Sequence, residues 1–190
     1  MHPVKIAIFA SGSGSNAENI ATYFSARNDI RVSYILSNKA DAFVLERAKR
    51  LHIPALVFNR QEFYETNHIL QFLKRESIGW IVLAGFLWLI PEYLIDAWPG
   101  RIINIHPALL PRYGGKGMYG EKVHQAVIES GDKESGISIH LVNKEYDKGA
   151  IIFQAKCKVD ASDTPETLAA KVHKLEYAHF PEVIEKLILS

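Results

Sequence analysis

The sequence predicts an α/β fold: a Rossmann-like, mostly parallel sheet with flanking helices and an antiparallel strand pair near the C-terminal end. Three observations predict it. Apolar runs of strand length alternate with segments whose apolar residues recur at helical spacing, the pattern of parallel strands joined by right-handed crossovers. The first run passes straight into a glycine-rich turn and a helix start. Near the end, two apolar segments are joined by the short turn Glu145-Tyr146-Asp147-Lys148-Gly149, which suits an antiparallel pair.

Each element has its own reason. Val4 to Ala10 is short and apolar, as a strand buried on both faces should be. After Ser11-Gly12-Ser13-Gly14-Ser15-Asn16, the residues Ala17, Ile20, Ala21 and Phe24 share a helix face, and Ser15 with Glu18 fits a capping box. Arg31 to Ser37 reads as a second strand. Asp41 can cap a helix carrying Val44, Leu45, Ala48 and Leu51, which stops before Pro54. Ala55 to Phe58 is a third strand, Gln61 to Glu76 a helix, Trp80 to Ala84 a buried strand and Pro91 to Ala97 a short helix. Arg101 to Ile105 leads into His106, where Pro107 ends the ladder because it has no N–H to give.

Arg112 to Gly120 holds four glycines and two tyrosines and reads as a long mobile loop. A helix follows over His124 to Ser130, ended near Gly131. Ile137, Ile139 and Leu141 alternate with Ser138, His140 and Val142, as in a half-buried strand. Ile151 to Lys158 is its partner. Thr164-Pro165-Glu166 opens a last helix that Pro181 interrupts.

The bulk numbers narrow the function classes. At 190 residues the chain suits one domain, residues 1–190, and its composition is 48% hydrophobic and 23% charged, as in soluble globular proteins. A net charge of +1 gives no electrostatic reason to expect nucleic acid or an anionic membrane as partner. Trp80 to Ile90 is too short to span a bilayer, and Met1-His2-Pro3-Val4-Lys5 lacks the plan of a signal peptide. The single Cys157 rules out an internal disulfide and a cysteine-rich metal site, and the eight histidines form no metal-binding motif. The expectations are a cytoplasmic, disulfide-free globular domain that needs no metal and meets small-molecule substrates rather than nucleic acid or membrane, with the oligomeric state unknown (monomer or weak dimer).

Asn104 and His106 point to chemistry. One residue apart on a strand, they project from the same face, at the carboxyl edge where open α/β sheets bind ligands. They offer one reacting oxygen a neutral and a titratable donor. The glycine-rich turn is either a plain tight turn or, with its exposed N–H groups and helix dipole, a cradle for a phosphate monoester. It lacks the Gly-Lys-Ser/Thr of a nucleotide-binding loop and fits the dinucleotide fingerprint only loosely. Asp147 is either a turn former or, if it lies near His106, the charge that raises the imidazole pKa.

Ser11-Gly12-x-Gly14-Ser15-Asn16, Leu83-Ala84-Gly85-Phe86, Asn104-x-His106-Pro107-x-Leu109-Leu110-Pro111, Gly136-x-Ser138-x-His140 and Asp147-x-Gly149 occur in this order. The set resembles the phosphoribosylglycinamide formyltransferases, folate-dependent enzymes of purine biosynthesis, from about residue 4 to about residue 185. The resemblance implies 10-formyltetrahydrofolate as formyl donor and a substrate carrying a ribose phosphate. It places phosphate-substrate binding in 1–100 and catalysis with folate contact in 101–190. It implies that Gly14, Ser15 and Asn16 cradle the phosphate, with Gly85 beneath the ligands and Glu176 near the glycinamide end. Leu87, Trp88, Leu89 and Ile90 would line the pteridine pocket together with Asn104, and Arg60 would reach the folate. Asn104 and His106 would hold the formyl oxygen, and Asp147 would tune His106.

The chain departs from the pattern at Leu87-Trp88, where the family often has Met-Arg, and in extra residues around Lys116 to Gly120. Other formyl-folate enzymes share the Asn/His/Asp set. A methionyl-tRNA formyltransferase should carry a further C-terminal domain and a basic surface, and a nucleotide-sugar formyltransferase should lack the Ser11 to Asn16 loop. A non-catalytic Rossmann-like binding module is the rival of a different class.

Overall fold

The computed structural model describes residues 2–190; Met1, at the head of the N-terminal stretch considered above, lies outside them. Seven strands form one sheet. In chain order they are β1 (Val4–Phe9), β2 (Ile30–Ser37), β3 (Ala55–Val57), β4 (Trp80–Leu83), β5 (Ile102–His106), β6 (Glu134–Leu141) and β7 (Ile151–Lys158). The spatial order is β3-β2-β1-β4-β5-β6-β7. The pairs from β3 through β5 are parallel, and β6 runs antiparallel to both β5 and β7. The strand order reverses between β1 and β4, and the crevice at such a reversal is where α/β sheets bind ligands.

The helices are α1 (Ser15–Phe24), α2 (Val44–Arg50), α3 (Arg60–Tyr64), α4 (His68–Arg75), α5 (Glu92–Ala97), α6 (Glu121–Ser130) and α7 (Pro165–Leu189). They split the core in two. Ile6 and Ile8 of β1 face a layer with Ile20, Val127, Val172 and Ile184, drawn from α1, α6 and α7. Ala7 and Phe9 face the other side, with Phe63, Leu73, Ile81 and Leu94. The alternation along one strand thus supplies both layers.

Several local expectations change. The start of α1 has no capping box: Gly14 is its N-cap, at φ 74°, and Glu18 instead pairs with Arg47 and Arg50 of α2. The first intrahelical bond runs from Glu18 N to Gly14 O, so the N–H groups of Ser15, Asn16 and Ala17 stay available. Asp41 does not cap α2; the Val44 N–H donates to Gly12 O at 3.1 Å, so the glycine loop caps it. The expected helix over 61–76 is two helices, because the Thr66 hydroxyl takes the His68 N–H and breaks the ladder.

β6 is buried on both faces, and its polar side chains are used internally. Ser138 Oγ accepts from Leu110 N at 2.9 Å and donates to Ala108 O at 2.7 Å. Pro181 does not interrupt the last helix, which runs unbroken from Pro165 to Leu189. An interior proline deprives the carbonyl four residues back of its partner. That carbonyl belongs to Tyr177, and Asn19 of α1 donates to it at 3.0 Å.

Candidate active site

The carboxyl ends of β1, β4 and β5 open into a cleft of about 960 Å³. Gly14, Ser15, Asn16, Gly85, Leu87, Asn104, His106, Asp147 and Glu176 all line it. Residues far apart in the chain meet because the parallel strands end together. Ser11 N donates to Gly85 O and Ser11 Oγ receives Leu87 N, each at 3.0 Å, tying the turn after β1 to the turn after β4.

Gly14 is required twice over. Its φ of 74° is rarely tolerated by a side chain, and an added Cβ would lie 2.2 Å from Val44 Cγ2 and 2.8 Å from Val44 Cα. Arg47 Nε donates to Ser13 O at 2.8 Å, so α2 buttresses the loop from behind.

β5 presents Asn104 and His106 to the cleft, and the turn between β6 and β7 brings Asp147 over them. His106 is 4% exposed. Its Nε2 lies 2.7 Å from Tyr113 O, which can only accept, so the proton of the neutral ring sits on Nε2. Its Nδ1 lies 3.6 Å from Asp147 Oδ2, and that same oxygen takes the Gly115 N–H at 2.9 Å. His140 stands opposite Asn104 in the β5–β6 register. His140 Nδ1 donates to Leu141 O at 2.9 Å, leaving Nε2 to accept from Asn104 Nδ2 at 3.0 Å. The second hydrogen of Asn104 Nδ2 makes only a long contact, 3.4 Å, with Asp147 Oδ1. An oxygen entering between them could take that donor.

Burial pushes the His106 imidazole below its ordinary pKa, and Asp147 and the Tyr113 carbonyl pull it back only in part. Burial pushes the Asp147 carboxyl up, but the polar groups around it, the Gly115 N–H among them, outweigh it and hold it below the usual carboxylate range. The pair at rest is therefore a carboxylate beside a neutral imidazole. Asp147 thus acts on His106 in the expected direction, raising the imidazole, while desolvation of the buried ring is the larger effect.

On the opposite wall, Glu176 is 5% exposed, and its Oε2 takes Asn16 Nδ2 and His173 Nδ1, each at 2.8 Å. Glu176 holds His173 above its ordinary pKa, while burial lowers His124. Asn16 Oδ1 and His124 Nδ1 are buried without a partner. The polar groups around the cleft are thus amides, imidazoles and free helix N–H groups, with carboxylates as acceptors, suited to a polar, phosphorylated ligand alongside an apolar one.

Residues 4–184 match the family model described as formyl transferase. The chain belongs to the formyl transferase family. It is 43% identical over 188 residues to the chloroplastic phosphoribosylglycinamide formyltransferase of Arabidopsis thaliana, covering 95% of this chain and 64% of that protein. It is 38% identical over 191 residues to the phosphoribosylglycinamide formyltransferase of Bacillus subtilis (strain 168), covering 97% of this chain and 94% of that one. Its backbone matches glycinamide ribonucleotide transformylase 1 from Geobacillus kaustophilus with a TM-score of 0.88 at 33% identity, over 98% of this chain and 99% of that chain.

Not every expected residue of this formyl transferase reaches the cleft. Leu87 does; Trp88, Leu89, Ile90 and Arg60 are not on its wall. The Trp88 indole packs among Phe58, Phe63, Tyr64 and Phe86, and Ile90 is 3% exposed in the core. Leu89 offers its carbonyl to the Tyr64 hydroxyl at 2.8 Å. The Arg60 guanidinium lies 4.8 Å from the Tyr64 ring centroid and 5.9 Å from that of Trp88. The exposed Arg60 guanidinium and the half-buried Trp88 ring thus lie against this aromatic cluster.

Conversely, Lys39, His124, His140 and His173 border the site without having been singled out for it. His140 carried a signal, its place in Gly136-x-Ser138-x-His140. Lys39 follows β2, whose parallel pairing with β1 brings their ends together. Among the described residues, no three His, Cys, Asp or Glu side chains cluster closely enough to hold a metal ion, and no helix is long and apolar enough to cross a membrane.

Proposed function

We propose that this chain transfers a formyl group from 10-formyltetrahydrofolate to the amine of N1-(5-phosphoribosyl)glycinamide, a step of de novo purine (IMP) biosynthesis, in the cytoplasm. The observation that carries this reading is the meeting of Asn104, His106 and Asp147 with the Gly14–Asn16 turn in one cleft. The names of the Arabidopsis and Bacillus relatives support the choice of substrate.

In this reading the free N–H groups at the start of α1 receive the phosphate, where the helix dipole adds to them. Residues 1–100 thus supply the phosphate side of the domain and residues 101–190 the reacting groups. Glu176, with Asn16, meets the ribose and glycinamide portion. The formyl donor lies along Gly85 and Leu87, read by backbone groups of 85–90 rather than by the Trp88 and Ile90 side chains.

The substrate amine attacks the formyl carbon, and charge develops on the formyl oxygen. Asn104 Nδ2–H is the first donor to it; a preorganised donor of this kind contributes about 3–4 kcal/mol. The amine must also lose a proton. His106 Nδ1 is free to take it because Nε2 is committed to Tyr113 O, and Asp147 stabilises the imidazolium that results. The charged ring then donates to the oxyanion and returns the proton to N10 as the carbon–nitrogen bond breaks. No side-chain nucleophile takes part, so Cys157 has only a packing role.

The test is a spectrophotometric assay with both substrates, comparing wild type with Asn104→Ala. Formyl transfer by the wild type and its loss in the variant is the expected result. No transfer by wild type, with tight binding of the ribonucleotide, would make the cleft a binding module instead.

A further inference from the structure

We infer that Tyr113 and Asp132 form a positioning pair that sets the tautomer and placement of His106 from the face turned away from the cleft. The inference rests on the reaction proposed above and extends it to residues outside the reacting centre.

The segment Tyr113–Gly115 grips both members of the central pair. Tyr113 O holds His106 Nε2 at 2.7 Å, and Gly115 N holds Asp147 Oδ2 at 2.9 Å. The space between is filled, since a Cβ on Gly114 would fall 2.5 Å from Leu110 Cδ2 and 3.3 Å from Asp147 Cβ. Tyr113 adopts φ 56°, a conformation that residues with side chains rarely hold without outside support.

That support is its phenol. Tyr113 Oη donates to Asp132 Oδ2 at 2.7 Å and lies 2.5 Å from Ser130 Oγ. Arg112 closes the same carboxylate from the other side, its Nη1 2.8 Å from Oδ2 and its Nη2 3.0 Å from Oδ1. Asp132 follows Gly131, which ends α6 at φ 70°, and precedes β6, so both of its flanks are fixed. The loop after β5 is thus pinned to the α6–β6 turn. A carbonyl held there demands a proton on Nε2, which leaves Nδ1 as the reactive nitrogen.

Three variants test this: Tyr113→Phe, Asp132→Ala and Asp132→Asn, the last keeping an acceptor for the phenol. One readout is the ¹⁵N NMR of the His106 ring at high pH, which reports the tautomer without any turnover. The other is kcat against KM. Wild type should show Nε2 protonated and Nδ1 bare. Tyr113→Phe and Asp132→Ala should show the two nitrogens mixing, with kcat falling roughly ten- to a hundredfold at little change in KM. Asp132→Asn should recover most of both. An unaltered tautomer in Tyr113→Phe and Asp132→Ala overturns the inference, and so does a Tm loss in them with kcat unchanged. If wild type transfers no formyl group, the proposed reaction fails, while the ring spectra still decide the pair.

Discussion

Asp147 Oδ2 lies 3.6 Å from Nδ1 of His106, across the gap between the end of β5 and the β6–β7 turn. His106 is buried and Asp147 mostly so, and their pKa values are both displaced downwards. The resting imidazole is neutral, so its proton-accepting form is the one present at neutral pH.

The acid limb of the kcat/KM profile should therefore lie below the ordinary histidine pKa of about 6.5. Burial is the cause, and Asp147 opposes it. Asp147→Asn removes the opposing charge, so the limb moves further down, while kcat falls roughly a hundredfold or more. A limb that stays put, or rises, in the pH profile of this variant contradicts the assignment.

Gly14→Ala should raise KM for the phosphorylated substrate about tenfold or more while kcat changes little. The added methyl meets Val44 at 2.2 Å and forces the turn, with its N–H groups, away from its present place. Steady-state kinetics with the second substrate saturating reads this out. An unchanged KM would move the phosphate elsewhere.

Trp88→Ala should destabilise the fold by roughly 2–4 kcal/mol and leave KM for the formyl donor within about twofold. The indole contacts four aromatic neighbours and is absent from the cleft wall. Thermal melts and donor titrations together decide it. A large rise in KM with no loss of Tm would restore Trp88 to the folate site.

Asn19→Ala should cost about 0.5–1 kcal/mol in the wild type, because the Tyr177 carbonyl loses its donor. In a Pro181→Ala background the same change should cost less, since residue 181 then carries an N–H for that carbonyl. A double-mutant cycle by chemical denaturation measures the difference. Equal costs in both backgrounds would detach Asn19 from the proline.

Stability should fall as pH drops from 7 towards 5.5. Burial lowers His106 and His124, so the unfolded chain binds more protons than the folded one below about pH 6.5. His173 acts oppositely: Glu176 raises it, and its contribution is present below that pH and lost as pH rises through its raised value. Melting curves of wild type and His124→Gln across this window test the balance. The variant should show a shallower slope.

Much of the fold was legible because it rests on periodicity. The seven strands and the catalytic edge followed from apolar runs and from Pro107. What the chain alone hid was tertiary substitution for local signals. Gly12 O replaces Asp41 as the cap of α2, and Asn19 rescues the proline within α7. The cleft showed the same division. Gly14, Asn104, His106 and Asp147 were marked by residue type and spacing, and the structure brings them together. For Trp88 and Ile90 the resemblance implies a pteridine contact, whereas the structure buries Ile90 and packs the half-buried Trp88 ring on the aromatic cluster. The desolvation that lowers His106 has no signature in the sequence, because burial is a tertiary property.

The most direct test of the central claim is kcat for formyl transfer by His106→Ala with both substrates saturating, its fold verified by circular dichroism. The geometry predicts a loss of roughly a hundredfold or more with KM values little changed. Turnover close to that of wild type would contradict it, and would remove His106 from the chemistry of this site.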